Sequence, residues 1–184
     1  EWTPIGGFYH YSGTFDGQGY TIRNIKITTH GRYIGFFDYT QNAVIKNVIL
    51  EGDVSIVEPQ TYPTTINMPV YYGGLVGYAA GGEFINCTSS MNITVTGETD
   101  KTGRRALGGL FGGLYKDGKA VACQNYGNIT YDVKFSQKKQ QIGIGGIAGE
   151  VSDSAVIDSA HNSGKICANI DGNGQACVVV LLDG

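Results

Sequence analysis

Gly73-Gly74-Leu75-Val76-Gly77 returns as Gly108-Gly109-Leu110-Phe111-Gly112 and again as Gly145-Gly146-Ile147-Ala148-Gly149, with a degenerate copy, Ile34-Gly35-Phe36-Phe37-Asp38, ahead of them. Aligning the second Gly of each copy places it at positions 35, 74, 109 and 146, a period of about 37 residues. Self-similarity at such a period marks a solenoid or array whose units bury their apolar faces on one another. The columns around the motif each keep one residue class. Ile45, Phe84, Ala120 and Ile157 share one column, Val48, Cys87, Cys123 and Ala160 a second, and Val54, Ile93, Ile129 and Ile166 a third. All are apolar or small. A shorter echo sets residues 20–27 against residues 43–50, which aligns Asn24 with Asn47 and Asn86 in a column that continues through Ala122 and Ser159.

Short strands bounded by Gly, Asn and Asp turns, with like residues in each column, predict parallel coils wound about one axis. The expected fold is all-β: a single-stranded right-handed parallel β-helix (solenoid) with lateral loops, spanning 1–184 as one domain. The hand follows from the preference of parallel crossovers. Stacked Asn amides would hydrogen-bond from coil to coil where the chain turns. Cys87 and Cys123 share a core column and read as reduced, buried thiols, small and apolar in effect.

Composition agrees with this. Gly is 29 of 184 residues and Tyr 12 against a single Trp, a bias toward turns and strands rather than helix. A net charge of −3 argues against a nucleic-acid partner, which calls for a basic face. No apolar run in this segment approaches the roughly 20 residues of a membrane span. Four cysteines fit neither a dense disulfide scaffold nor paired zinc spacings, and His10, His30 and His161 stand apart, so no metal or cofactor is expected.

Three segments of unequal length leave one corner of the repeat: residues 57–71, with Pro59, Pro63 and Pro69, then 97–105, then 134–141. Insertions at one corner of a solenoid often build its binding side. The second and third hold Lys101, Arg104, Arg105, Lys134, Lys138 and Lys139, a candidate strip for an anionic ligand, although loops are also where solvated charge ordinarily resides. Tyr39 and Tyr78 align at the end of the Gly-Gly strands, with Tyr33 and Tyr72 six residues earlier, and exposed aromatic ladders bind sugar rings or peptide. Carbohydrate-cleaving β-helices need facing carboxylates. The column of Asp53, Asn92, Asn128 and Lys165 holds only one, and no aligned column brings two together, so no catalytic residue is assigned.

Residues 2–6 (Trp-Thr-Pro-Ile-Gly), 13–27 (Gly-Thr-Phe-Asp-Gly-Gln-Gly-Tyr-Thr-Ile-Arg-Asn-Ile-Lys-Ile), 35–37, the 73–77 motif and Ile85-Asn86-Cys87 together resemble the GLUG-motif repeat proteins. Similar repeats occur in the non-catalytic N-terminal region of the IgA-protease type of metallopeptidase. The resemblance covers roughly residues 2–166 and implies a secreted or surface-anchored bacterial β-helix, adhesin-like or a spacer, with no catalytic residues to transfer. Two departures stand out: Asp38 replaces the closing Gly, and Ala122 replaces the Asn before Cys123. The expected function is a non-catalytic, extracellular cell-surface interaction or adhesion module that binds glycan or a host or neighbouring protein. Its alternatives are a polysaccharide lyase or glycosidase and a pure spacer. A start inside the repeat at Trp2 and an apolar end at residues 178–182 lead us to expect flanking domains of the same polypeptide.

Overall fold

In a computed structural model, the described residues are 1–29, 31–58, 68–100, 103–136, 141–172 and 175–179. Among them every regular element is a strand, and every strand pairing is parallel. The strands stack into four sheets, each winding of the chain visiting them in turn, which is the expected β-solenoid. The first sheet stacks Thr14–Asp16, Val44–Lys46, Glu83–Ile85, Lys119–Val121 and Val156–Asp158. The second, the longest face, includes Thr21–Ile27, Ile49–Glu58, Thr88–Thr99, Ile129–Phe135 and Ile166–Gly172. The third stacks Tyr33–Ile34, Val70–Gly73, Arg105–Gly108, Gln141–Gly145 and Gln175–Val179, and the fourth Phe37–Gln41, Val76–Ala80, Phe111–Tyr115 and Ala148–Val151.

The apolar columns are the core. Ile45 registers with Phe84, Phe84 with Ala120 and Ala120 with Ile157; Val54, Ile93, Ile129 and Ile166 do the same on the second sheet. Val48, Cys87 and Cys123 are wholly buried, and Ala160 is partly buried and packs against the same core. Cys87 and Cys123 are free thiols whose sulfurs reach backbone carbonyls, at 3.5 Å to the Ile45 oxygen and 3.4 Å to the Phe84 oxygen. The neighbouring Cys123 thiol and burial hold the Cys87 thiol far above the ordinary range, so it stays protonated. Trp2 stacks on Phe36 at a centroid distance of 4.4 Å and covers one end of this core.

Two alignments are corrected. Thr21–Ile27 pairs with the second-sheet strand Ile49–Glu58, through Ile22 with Leu50 and Ile27 with Val54, so the short echo compared strands of different sheets. Asn24 therefore lies outside the Asn column, at φ 61 and beside a register shift between Ile22 and Ile25. Alternating aliphatics are common to both sheets and could not distinguish them. In the first winding, Ile34 registers with Tyr72 and Phe37 with Val76, so its corner is one residue shorter and Gly35 answers to Gly73 rather than Gly74. Tyr33 accordingly pairs with Tyr71, and Tyr72 points into the core at 1% exposure.

The remaining Asn column does its work through the backbone. Asn47, Asn86, Ala122 and Ser159 have φ of 53, 52, 53 and 50, the left-handed conformation that Asn tolerates better than most residues. Asp16, at the end of the first winding's strand, accepts from Asn47 Nδ2 at 3.1 Å, and Asn47 Oδ1 from Asn86 Nδ2 at 3.0 Å. Ala122 ends that chain of amides. We expect Ala122→Asn to stabilise the protein by about 0.5–1 kcal/mol, read as a higher midpoint of urea unfolding at unchanged slope.

Candidate functional site

The repeated glycines set the shape of the corner between the third and fourth sheets. A Cβ on Gly109 would lie 2.2 Å from Asn125 Cγ and 2.2 Å from the Gly146 carbonyl oxygen. The same relation ties Gly74 to Ser89 and Gly146 to Asn162. Beneath the glycine pairs therefore runs an inward row that the sequence reading missed. Asn125, fully buried, donates to the Gly127 carbonyl at 2.9 Å and to Asn162 Oδ1 at 2.8 Å, and accepts from the Gly127 amide at 3.2 Å. The closing Gly of each motif meets the third sheet one winding earlier: a Cβ on Gly77 would sit 2.5 Å from the Ile34 amide nitrogen, and one on Gly112 2.5 Å from that of Tyr72. The two sheets are thus pinched together from outside, and their outward side chains converge across a re-entrant corner.

That corner is tyrosine. Tyr33 and Tyr71 come from the third sheet, Tyr39 and Tyr78 from the fourth, and Tyr115 reaches back over Gly113. Tyr39 registers with Tyr78 and meets it edge to face at 5.4 Å, while Tyr33 lies 5.1 Å from Tyr78 and Tyr71 5.0 Å from it. Tyr78 stacks on Tyr115 at 4.9 Å, and His10 tilts onto Tyr39 at 5.5 Å. Tyr71 and Tyr115 are buried in this cluster, whereas Tyr33, Tyr39 and Tyr78 are half-buried with part of each ring open to solvent. Burial raises the hydroxyl pKa of Tyr33, Tyr78 and Tyr115, so these groups remain protonated donors. Tyr115 donates to the Tyr71 hydroxyl at 3.1 Å.

The cationic candidates separate. Arg104 is exposed beside this corner, with its guanidinium on Glu150 and its Nε donating to Gln141 at 3.3 Å; the Glu150 carboxylate raises its pKa further. Arg105 faces inward at 2% exposure, paired with buried Glu58 at 3.5 Å and set over the Phe135 ring, so it is withdrawn from any surface strip. Its register partners Val70 and Ile142 belong to a core-facing column. Lys134 is exposed on the second sheet, opposite Glu98. Lys101, Lys138 and Lys139 lie outside the described residues. The roots of the three lateral segments do share one corner, since each leaves the end of a second-sheet strand and returns at the start of a third-sheet strand.

The column of Asp53, Asn92, Asn128 and Lys165 is a hydrogen-bonded ladder: Asn92 Nδ2 donates to Asp53 at 3.2 Å, the Asn128 amide to Asn92 at 3.1 Å and the Lys165 amide to Asn128 at 3.0 Å. Asp16 caps its own turn, accepting from the Gln18 amide at 2.9 Å; that bond and the one from Asn47 lower its pKa. No cluster of metal-ligating side chains occurs among the described residues.

Asp38 stands where later windings have the closing Gly. Among the described residues the first winding has no earlier third-sheet strand to press against, so a side chain fits. The fit is imperfect, because Asp38 Oδ1 is buried with no hydrogen-bond partner among the described residues, and burial raises its pKa to about 7. A carboxyl whose folded pKa lies above its unfolded value of 3.8 takes up a proton on folding. Stability contributed at low pH is then lost as pH rises through the folded pKa. We expect Asp38→Asn to flatten the fall in stability between about pH 4 and pH 7, measured by urea unfolding across that range.

Stacked parallel windings, a glycine-pinched corner and side-chain ladders define a repeat protein of the parallel β-solenoid class. Residues 69–96 match the GLUG motif, the repeat that the sequence resembles. The match begins just before Val70–Gly73 and ends within Thr88–Thr99, so one motif corresponds to one winding. No curated protein and no solved structure matches the chain.

Proposed function

We propose that this chain is a non-catalytic interaction module of the bacterial cell surface or secreted space, an adhesin-like β-solenoid that holds a glycan or a host or neighbouring protein on its tyrosine corner. The observation that carries this reading is the corner itself, where aromatic rings from successive windings stay partly open to solvent along the solenoid axis. Aromatic side chains there supply flat apolar area with a polar tip, the chemistry of recognition surfaces. Arg104 and Glu150 give the strip a charged margin.

Binding is favoured over polysaccharide cleavage by the registers. In the paired strands, each Asp or Glu lies opposite a residue that is not a carboxylate: Asp16 opposite Lys46, Asp53 opposite Lys26 and Asn92, Glu98 opposite Lys134, Asp132 opposite Thr96, and Glu150 opposite Gly113. A glycosidase pair requires two such groups across a groove. The test presents the purified chain to a glycan array and a peptide array, and incubates it with acidic polysaccharides. Saturable binding weakened by substitution at Tyr39 or Tyr78 supports the module, turnover of polysaccharide assigns an enzyme, and silence in every assay assigns a spacer.

A further inference from the structure

The tyrosine corner makes no use of the pair of thiols inside the stack. Ile85 registers with Val121 and Thr88 with Gln124, so Cys87 and Cys123, at equal offsets between those pairs, lie directly opposite each other on adjacent windings. The Asn86 amide donates to the Val121 carbonyl and the Gln124 amide to the Cys87 carbonyl, both at 2.9 Å, which fixes that register on either side. Neighbouring parallel strands run about 4.8 Å apart, inside the Cα separation of about 4.4–6.8 Å that a disulfide spans. Both side chains are wholly buried, and the Cys87 thiol hydrogen-bonds the Cys123 sulfur. Their other contacts are weak ones to backbone carbonyls: Cys87 to Ile45 and Ile85, both at 3.5 Å, and Cys123 to Phe84 at 3.4 Å and Val121 at 3.5 Å. Losing the S–H protons therefore sacrifices little. Val48 precedes the pair in its column, Ala160 follows it, and Cys167 is exposed, so among the described residues each thiol has one possible partner.

We propose that Cys87 and Cys123 are a convertible pair, which a low-molecular-weight disulfide oxidises to a covalent bond between adjacent windings. The stretch from Cys87 to Cys123 passes through Thr88–Thr99, Arg105–Gly108, Phe111–Tyr115 and Lys119–Val121, one strand from each of the four sheets. The bond therefore closes one complete circuit of the solenoid into a ring. Such a ring stabilises chiefly by restricting the unfolded chain. The inference is independent of what the tyrosine corner binds.

The chemistry is thiol–disulfide exchange. The hydrogen bond from Cys87 lowers the pKa of Cys123, which makes Cys123 the attacking sulfur. Cys123 gives up its proton and attacks one sulfur of the reagent; the reagent's S–S bond breaks, and its other half leaves as a thiolate that takes up a proton. The Cys87 sulfur then displaces the bound half from Cys123, and the proton of Cys87 goes to that second leaving thiolate. Two protein thiols are oxidised, and one small disulfide is reduced to two thiols. Because neither sulfur is exposed, the exchange takes place while the chain is folding or its windings are locally open, and the stacking register then selects the partner.

The test unfolds the full chain carrying Cys167→Ser and Cys177→Ser in urea with reductant, then refolds it over mixtures of reduced and oxidised glutathione. Remaining thiols are alkylated in urea and counted by intact mass. The unsubstituted chain is refolded in parallel and digested without reduction, so its cross-links are mapped even if the serine variant fails to fold. We expect the oxidised product to carry no alkylatable thiol, to yield a peptide joining Cys87 to Cys123, and to keep the strand circular dichroism of the reduced protein. Its unfolding equilibrium should shift toward the folded state by about a hundredfold, read as a higher urea midpoint that is lost again on reduction. Cys123→Ala should abolish the dependence of that midpoint on the glutathione mixture. Two free thiols after refolding under oxidising mixtures overturn the proposal. A bond that forms but lowers the midpoint overturns it as well, and so does a cross-link from Cys87 to Cys167 or Cys177 in the unsubstituted chain.

Discussion

Gly109→Ala is expected to cost about 3 kcal/mol or more, a large share of the roughly 5–15 kcal/mol that keeps a domain folded. The added methyl would meet Asn125 Cγ at 2.2 Å on one side and the Gly146 carbonyl oxygen at 2.2 Å on the other. Asn125 cannot turn away, because its amide is fixed on Gly127 and Asn162 from a fully buried position. The carbonyl belongs to the next winding and cannot move without shifting that winding's own glycine from Asn162. Shortening Asn125 therefore relieves only half of the clash, and Gly109→Ala with Asn125→Ser should remain strongly destabilised. Gly7→Ala is the control, since nothing lies within 4 Å of its added Cβ. Urea unfolding of the three variants, followed by the loss of strand circular dichroism, reads the difference. A Gly109→Ala protein as stable as the parent would remove the packing account of the motif.

The second large effect belongs to the buried ion pair. Glu58 ends its second-sheet strand and Arg105 begins its third-sheet strand, so the pair closes the inner side of the corner from which the lateral segments leave. Both are almost inaccessible, and Tyr72 donates to Glu58 at 3.0 Å while Arg105 donates to the Gly103 carbonyl at 2.8 Å. Arg105→Met leaves a carboxylate inside the core without its cation and should cost about 3–5 kcal/mol. Adding Glu58→Met removes that charge, and the double variant should recover most of the loss. A double-mutant cycle measures the coupling. Additive losses would show that the two charges do not depend on each other.

The pair also shows where sequence reading works and where it fails. The apolar columns were legible because stacked windings demand the same residue class at the same place, and Ile45, Phe84, Ala120 and Ile157 register as aligned. Arg105 was assigned to a surface strip on charge alone, although its column runs through Val70 and Ile142. Glu58 likewise continues the inward alternation of Val54 and Ile56. The alternation carried the truth; residue type overrode it. The Ser89, Asn125 and Asn162 row was missed because small polar residues near turns look solvated, and only the glycine lying opposite each one reveals that it points inward. The tyrosine corner was half legible. Tyr39 and Tyr78 aligned correctly, but the missing residue in the first winding's corner misplaced Tyr72 for Tyr71, and Tyr115 gave no signal because it reaches its neighbours across a glycine.

The match between each glycine and the polar side chain beneath it has a consequence for how such a protein can lengthen by duplication. Gly74 with Ser89, Gly109 with Asn125 and Gly146 with Asn162 are lock-and-key couples, each held within a single stretch running from the glycine corner to the following second-sheet strand. A recombination breakpoint inside that stretch would marry one lock to another's key. One placed in the lateral segments would carry each couple across intact, so those segments are the natural seams at which whole windings can be copied, lost or traded.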